Sequence, residues 1–174
     1  MKDPFLQKFA VTNDADAMRN SLRAALQRNK TYTDAATTTE RKEFRATWAA
    51  LLVDAAKKYN QPVTDTDHCR TVAAIAQSLS QSSGHLLAGG RMRFGTSQKA
   101  FNLYLKCLWR LHALPPPPHC PIDRIILRAA GLSGSWTQSD SEQEYMGWVR
   151  AIRERHINKP TLADWEYDQW NRNA

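Results

Sequence analysis

Residues 96–111 read TSQKAFNLYLKCLWRL and carry apolar side chains at helical spacing, which predicts a long helix from Thr96 to Leu111. The following stretch, Ala113 to Cys120, contains four consecutive prolines and is predicted to be extended. A second helix is predicted from Pro121 to Ala130, ended by a glycine. The segment from Gly89 to Gly131 is therefore predicted as a helix, an extended turn and a shorter helix.

Helices are also predicted on both sides of this segment, and no strand-like alternation lasts for more than a few residues. Their predicted N-caps are Thr12 or Asn13, Thr64 or Asp65, Ser139 or Ser141, and Thr161. The predicted core positions recur at helical spacing: Met18, Leu22, Ala25, Leu26, Phe44, Trp48, Leu51, Leu52, Ala55, Val72, Ile75, Ala76, Leu79, Tyr145, Trp148, Val149, Ile152, Trp165 and Trp170. The predicted fold class is an all-α, compact multi-helix domain.

The length and composition of the chain indicate how many domains it forms. It has 174 residues, of which 42% are hydrophobic, so it can bury a core without disulfides or metals. We predict one all-helical domain over residues 1–174. The alternative is a division into two subdomains near residues 80–95, where periodicity breaks at Gly89 and Gly90.

The charge of the chain favours an anionic partner. Twenty-four Lys and Arg against 17 Asp and Glu give a formal charge of +7, for which nucleic acid is the first choice and a membrane surface the second. The three cysteines, Cys69, Cys107 and Cys120, form no C-x-x-C pair, which argues against a disulfide framework. No apolar run has the length of a membrane helix or a signal peptide. We expect a cytoplasmic monomer that binds DNA and no membrane.

The charges are unevenly distributed along the chain. From His68 to Ile122 there is no Asp or Glu, while the same stretch holds six cations. These are Arg70, Arg91, Arg93, Lys99, Lys106 and Arg110. A phosphate backbone lying across such a block would relieve its self-repulsion. The alternative is that acidic residues from other segments pack against the block.

The residues that precede the long helix favour phosphate binding. A helix N-terminus presents free N–H groups and the positive end of the helix dipole, and a glycine lets the backbone approach a ligand closely. The predicted DNA-binding residues are Arg91, Arg93, Gly95, Thr96, Ser97, Lys106 and Arg110.

Two residues in this segment form a candidate catalytic pair. Lys99 is predicted in the first turn of the long helix among other cations, where its neutral, nucleophilic amine would be favoured. Asp123 is predicted at or next to the start of the second helix, where an anion is stabilised. An ionised carboxylate beside a glycosidic bond stabilises the positive charge that develops on the sugar. The alternative roles are a solvated helix lysine and a plain N-cap.

The order of glycine, lysine, apolar helix, Pro-rich turn, Pro-Ile-Asp and apolar helix resembles the helix-hairpin-helix DNA glycosylases, particularly their lysine-bearing 8-oxoguanine branch. The matching residues are Gly95, Lys99, Pro121, Ile122 and Asp123. The resemblance covers about a quarter of the chain, residues 89–131. It implies a minimal glycosylase fold in which Lys99 and Asp123 are catalytic. The usual family hairpin reads Leu-Pro-Gly-x-Gly, whereas this chain has one glycine and no proline there.

Three further residues are candidates for a base pocket: His119, Trp109 and Trp136. A flipped base stacks on aromatic rings, and an imidazole can line its pocket. The dipeptides His68-Cys69 and His119-Cys120 match no common zinc spacing. We expect neither a metal nor a cofactor.

The first hypothesis is therefore a DNA glycosylase, with or without strand-cleaving lyase activity, that flips and excises a damaged or modified base. The second is a non-catalytic basic DNA-binding protein, for example a regulator or a phage-related accessory protein. A third is a helical toxin or partner-binding protein, which would show no DNA affinity at low salt.

Overall fold

The structure is a computed structural model that describes residues 3–155 and 159–172, and it confirms the prediction of an all-α fold. Its helices are α1 (Pro4–Lys8), α2 (Asp14–Leu26), α3 (Thr38–Ala56), α4 (Asp65–Ser83), α5 (Phe94–Arg110), α6 (Arg124–Ala129), α7 (Glu142–Arg155) and α8 (Leu162–Arg172). Short 3-10 turns follow α3 and α4. Within the described residues, extended pairing is limited to an isolated bridge between Tyr32 and Leu87.

The helix starts follow from local side-chain hydrogen bonds. Asn13 caps α2, Thr64 caps α4 and Asp123 caps α6, as predicted. Thr37 and Glu40 form a capping box at α3, in which each side chain binds the other residue's backbone N–H. Because these bonds satisfy N–H groups that lack helical partners, they fix where each helix begins.

Helix α5 is the centre of the molecule. It packs most extensively against α2 and also against α4 and α3. Nearly all of its residues from Phe94 to Leu108 are buried, so it is enclosed on all sides, unlike an amphipathic surface helix. One hydrophobic cluster around it includes residues from all eight helices. A polar side chain on α5 therefore needs a hydrogen-bond or ion-pair partner from within the protein.

The two helices of the segment Gly89–Gly131 differ from their predicted bounds. Helix α5 begins at Phe94, two residues earlier than predicted. Helix α6 begins at Arg124 instead of Pro121, because the Asp123 side chain accepts hydrogen bonds from the first free amides of the helix. The preceding residues, from Pro115 to Ile122, are non-helical and return the chain along α5.

The C-terminal helices close the structure over this centre. Tyr145, Val149 and Ile152 of α7 are fully buried, and Trp165 of α8 is nearly so. A loop over residues 133–141 connects α6 to α7 and lies across the start of α5. None of the described helices is long and apolar enough to cross a membrane.

Candidate active site

Lys99 and Asp123 form an ion pair. The Lys99 Nζ lies 2.5 Å from Asp123 Oδ2, although the two residues are 24 positions apart in sequence. Asp123 Oδ1 accepts from the backbone amides of Ile125 at 2.9 Å and Ile126 at 3.0 Å. One carboxylate oxygen thus caps α6 while the other faces the amine, so the predicted cap and the contact with Lys99 coexist.

This pair lies at the edge of the interior. The Lys99 side chain is 11% exposed and that of Asp123 is 21% exposed. Burial raises the pKa of Asp123, but the charge and hydrogen bond of Lys99 and the two capping amides outweigh it, so the net pKa is below the ordinary value. The carboxylate is therefore ionised at neutral pH. A carboxylate in a poorly solvated position interacts strongly with any positive charge that develops beside it.

The surroundings of Lys99 differ from the predicted ones. The residue lies in the second turn of α5, because the helix starts earlier than expected, and the dipole effect fades within the first turn. The charged group in contact with its amine is a carboxylate and not a cation. The prediction that Lys99 lies in the first turn among other cations is therefore wrong.

A side-chain amide holds the backbone next to the pair. Gln98 Nε2 donates to the carbonyl of Ile122 at 2.7 Å, and Gln98 Oε1 accepts from the Ile122 amide at 3.2 Å. Gln98 is fully buried. Because Gln98 precedes Lys99 and Ile122 precedes Asp123, this two-point contact fixes the register of the two segments that carry the ion pair. We call it the Gln98 clamp.

The clamp belongs to a buried hydrogen-bonded network. Asn102 Nδ2 donates to Gln98 Oε1 and to the Tyr145 hydroxyl, both at 3.0 Å. The hydroxyl lies 2.8 Å from His119 Nδ1, and His119 Nε2 lies 3.0 Å from Asp65 Oδ1. Since the carboxylate of Asp65 only accepts, Nε2 carries a proton, and Nδ1 of the neutral ring then accepts from the tyrosine hydroxyl. The network ties α4, α5 and α7 to the chain before Asp123.

The outer end of the network is an ion pair. Arg153 contacts both carboxylate oxygens of Asp65. The hydrogen bond from His119 and the interaction with Arg153 lower the pKa of Asp65 against the opposing effect of burial. Burial lowers the pKa of His119 despite the neighbouring carboxylate. His119 is accordingly neutral at pH 7.

A second buried histidine packs against the first. The His68 ring centroid lies 4.3 Å from that of His119, and His68 Nδ1 lies 2.7 Å from the Tyr59 hydroxyl. The imidazole also stacks on Phe101 of α5. Burial, followed by the proximity of His119, holds the pKa of His68 well below its ordinary value of 6.5. Both rings are therefore structural parts of the interior.

The acid-free block is neutralised by carboxylates from other segments. Among its six cations, the ion pairs are Arg70–Asp67, Arg91–Asp140, Lys99–Asp123, Lys106–Glu166 and Arg110–Asp3. The remaining cation, Arg93, donates to the carbonyl of Thr137 and to Gln138. The alternative considered from the sequence is thus confirmed. The block is largely matched within the protein and does not form one open phosphate-facing surface.

Several predicted DNA-binding residues are buried. Gly95 packs against the backbone of Trp136, its amide donates to Ser139, and a Cβ there would lie 1.8 Å from the Trp136 carbonyl oxygen. Thr96 and Ser97 are at most 1% exposed, and Lys106 is equally buried against Glu166. The prediction that these four residues contact DNA is wrong, because each is covered by another part of the protein. The loop before α7 covers Gly95, and α8 covers Lys106. Thr96 bonds to Asn29, and Ser97 donates to the carbonyl of Val72 in α4.

The predicted base-pocket residues are not brought together. His119 is fully buried, and both ring nitrogens have partners, so it lines no open pocket. Trp109 lies ten residues after Lys99 on the same helix, about 15 Å along its axis, and packs against Tyr167. Trp136 lies against Gly95, four residues before Lys99 on α5, but it is only 6% exposed.

Sequence reasoning missed the residues that organise the site. Gln98, Asn102 and Tyr145 carry no motif, and only the position of a glutamine directly before Lys99 gave a signal. In the described part of the chain, no three His, Cys, Asp or Glu side chains are grouped closely enough to hold a metal ion. Comparison of the chain with protein-family models, curated proteins and solved structures finds no match.

Proposed function

We propose that the protein is a DNA glycosylase with lyase activity, in which Lys99 is the nucleophile and Asp123 the charge-stabilising carboxylate. The observation that carries the proposal is the 2.5 Å contact between Lys99 Nζ and Asp123 Oδ2 at the edge of the interior. A primary amine and an ionised carboxylate are the two groups that this chemistry requires. The resemblance of residues 89–131 to lysine-bearing glycosylases agrees with this assignment.

The reaction follows from the positions of the two groups. The Lys99 ammonium transfers one proton to the departing base, and the resulting amine forms a bond to C1′ of the deoxyribose as the glycosidic bond breaks. The base leaves neutral and the positive charge stays on the lysine nitrogen, so the total charge is unchanged. Asp123 stays ionised and stabilises the positive charge on the sugar and then on nitrogen. The nitrogen then passes its second proton to the ring oxygen as the bond between C1′ and that oxygen breaks, which leaves a hydroxyl at C4′ and a protonated imine.

The carboxylate is held in place for this role before the substrate arrives. Its Oδ1 is fixed by the amides of Ile125 and Ile126, and the clamp from Gln98 fixes the residue before it. A charge held by the fold needs little reorganisation during the reaction, which is the main source of electrostatic catalysis. These contacts support a catalytic role for Asp123 beyond its role as a cap.

The proposal is tested by incubating the protein with duplexes that contain 8-oxoguanine or the hypermodified bases of viral DNA. Free base is then measured by mass spectrometry. We expect base release from at least one duplex by the wild type and none by Lys99→Ala. Salt-dependent DNA binding without base release from any duplex would contradict the proposal and favour the non-catalytic DNA-binding protein.

A further inference from the structure

A cavity of about 340 Å³ opens at the residue that follows Asp123. Its lining residues come from three segments of the chain: Arg28, Arg124, Gly134, Ser135, Trp136 and Thr137. Arg28 lies just after α2, and Arg124 is the first residue of α6. The other four belong to the loop between α6 and α7.

The packing of these segments places the cavity close to the ion pair. The loop is held against the second residue of α5, where the Gly95 amide donates to Ser139 at 2.9 Å. Lys99 lies about one helical turn further along. Asp123 precedes Arg124 directly in the chain. The cavity is therefore lined by the residue after Asp123 and by the loop that packs on α5 one turn before Lys99, although neither member of the ion pair lines it.

The charge of the cavity is uncompensated. Arg28 and Arg124 are exposed, and neither forms an ion pair or hydrogen bond with any residue that the structure describes. No carboxylate is among the lining residues. The cations of the acid-free block, in contrast, are nearly all matched by carboxylates. Two guanidinium groups on one cavity, without a counter-charge, favour the binding of an anion.

The side chains that line the cavity indicate which kind of anion it binds. Guanidinium groups bind phosphate oxygens through paired hydrogen bonds, and the hydroxyls of Ser135 and Thr137 add further donors. The Trp136 ring is nearly buried and offers no open face on which a base would stack. These features fit the sugar-phosphate backbone better than a nucleobase.

We propose that Arg28 and Arg124 bind a DNA phosphate adjacent to the nucleotide whose sugar reaches Lys99. This inference rests on the proposed function and adds a binding site to it. The site replaces the one predicted at Thr96 and Ser97, which are buried. Its two arginines and the loop beside them all lie outside the acid-free block.

The site is tested by measuring the affinity for a duplex with a non-cleavable tetrahydrofuran abasic analogue by fluorescence anisotropy, between 50 and 200 mM chloride. The variants are Arg28→Ala and Arg124→Ala, with Arg150→Ala on the exposed face of α7 as the matched control. We expect each of the first two to weaken binding about tenfold and to reduce the slope of log K against log salt by about 1. The control should stay within about twofold of the wild type.

A second series replaces single phosphates near the abasic analogue by uncharged methylphosphonates. One replacement should weaken binding by the wild type about tenfold and by Arg28→Ala or Arg124→Ala much less, because the interacting charge is already absent. If the wild type binds but the two variants behave like Arg150→Ala, the phosphate site is refuted and the proposed function stands. If the wild type neither binds the duplex nor releases base from any substrate, the proposed function itself fails.

Discussion

Gln98 binds the backbone amide and carbonyl of Ile122 through the two ends of its side chain. The contact lies one position before the lysine on α5 and one position before the aspartate at α6. Because it is a two-point contact to fully buried backbone, it restricts both translation and rotation of the segment that carries Asp123. The geometry of the Lys99–Asp123 ion pair therefore depends on the neighbouring hydrogen bonds between Gln98 and Ile122.

Gln98→Ala should reduce the rate of base release by more than the loss of folded protein alone would cause. The substitution leaves the Ile122 N–H and C=O without partners and costs about 3 kcal/mol of unfolding free energy. At a temperature where the variant is still folded, we expect the single-turnover rate to fall at least tenfold because Asp123 is less well positioned. Urea unfolding and quenched single-turnover assays measure the two effects.

Leu52→Ala is the control for this experiment, since Leu52 is buried in α3 and cavity formation there costs about 2 to 5 kcal/mol. It should leave the single-turnover rate of the folded protein close to that of the wild type. A Gln98→Ala variant that retains the full rate would show that the clamp has only a structural role.

Two substitutions at Asp123 separate capping from chemistry. Asp123→Asn keeps an oxygen that accepts from Ile125 and Ile126, whereas Asp123→Ala removes it. The two variants should differ by about 1 kcal/mol in unfolding free energy, with the asparagine variant more stable. Both lose the negative charge, so base release should fall at least 100-fold in each. Base release that survives in Asp123→Asn would rule out the charge-stabilising role.

The Lys106–Glu166 pair is expected to stabilise the fold without contacting DNA. Both side chains are at most 8% exposed, and Nζ lies 2.6 Å from Oε2. Lys106→Met leaves Glu166 buried and unpaired, which should cost about 3 kcal/mol. The double variant Lys106→Met with Glu166→Leu should recover much of this loss. Its DNA affinity should equal that of the wild type, and a salt slope that fell by about 1 would instead place Lys106 on a phosphate.

Stability should decrease as the pH falls below about 6.5, where an unperturbed histidine begins to bind a proton. The pKa of His68 is well below its ordinary value of 6.5 in the folded protein, because burial disfavours the charged ring. The unfolded chain therefore binds a proton that the folded chain does not, and acid favours unfolding. For a ring that stays neutral in the folded state, the loss between pH 7.5 and pH 5 is about 2 kcal/mol.

This pH dependence is measured by urea unfolding across the same range. His68→Gln should remove its share of the decline, whereas the same substitution at the exposed His85 should not. The pKa of Asp65 is lowered in the folded protein, so its contribution is lost only at a more acidic pH, as the carboxylate takes up a proton. A stability that is constant from pH 7.5 to pH 5 would contradict the neutral, buried state of His68.

The fold class and most helix starts were predictable because they depend on local signals. Asn13, Thr64 and Asp123 are capping residues whose role is set by the next three amides. The proximity of Lys99 and Asp123 was predictable only through the family resemblance, since their 24-residue separation carries no distance information. Helical periodicity in the sequence predicts where helices form but not how they pack against one another.

The predicted phosphate site failed for a reason that the linear sequence does not contain. The block from His68 to Ile122 has no carboxylate of its own, but α5 is the central helix and meets acidic residues from both ends of the chain. Asp3 neutralises Arg110 from 107 positions away, and Glu166 neutralises Lys106 from 60 positions away. The buried network around His119 and Tyr145 was missed for the same reason, because it joins three helices.

The covalent bond between Lys99 and the sugar is tested most directly by borohydride trapping. The protein is incubated with a duplex containing an abasic aldehyde site, and the imine is reduced to a stable amine. We expect a trapped adduct whose cross-linked peptide contains Lys99 and which is absent in Lys99→Ala. An adduct mapped to another lysine, or no adduct with a duplex that the wild type binds, would contradict the role of Lys99 as the nucleophile.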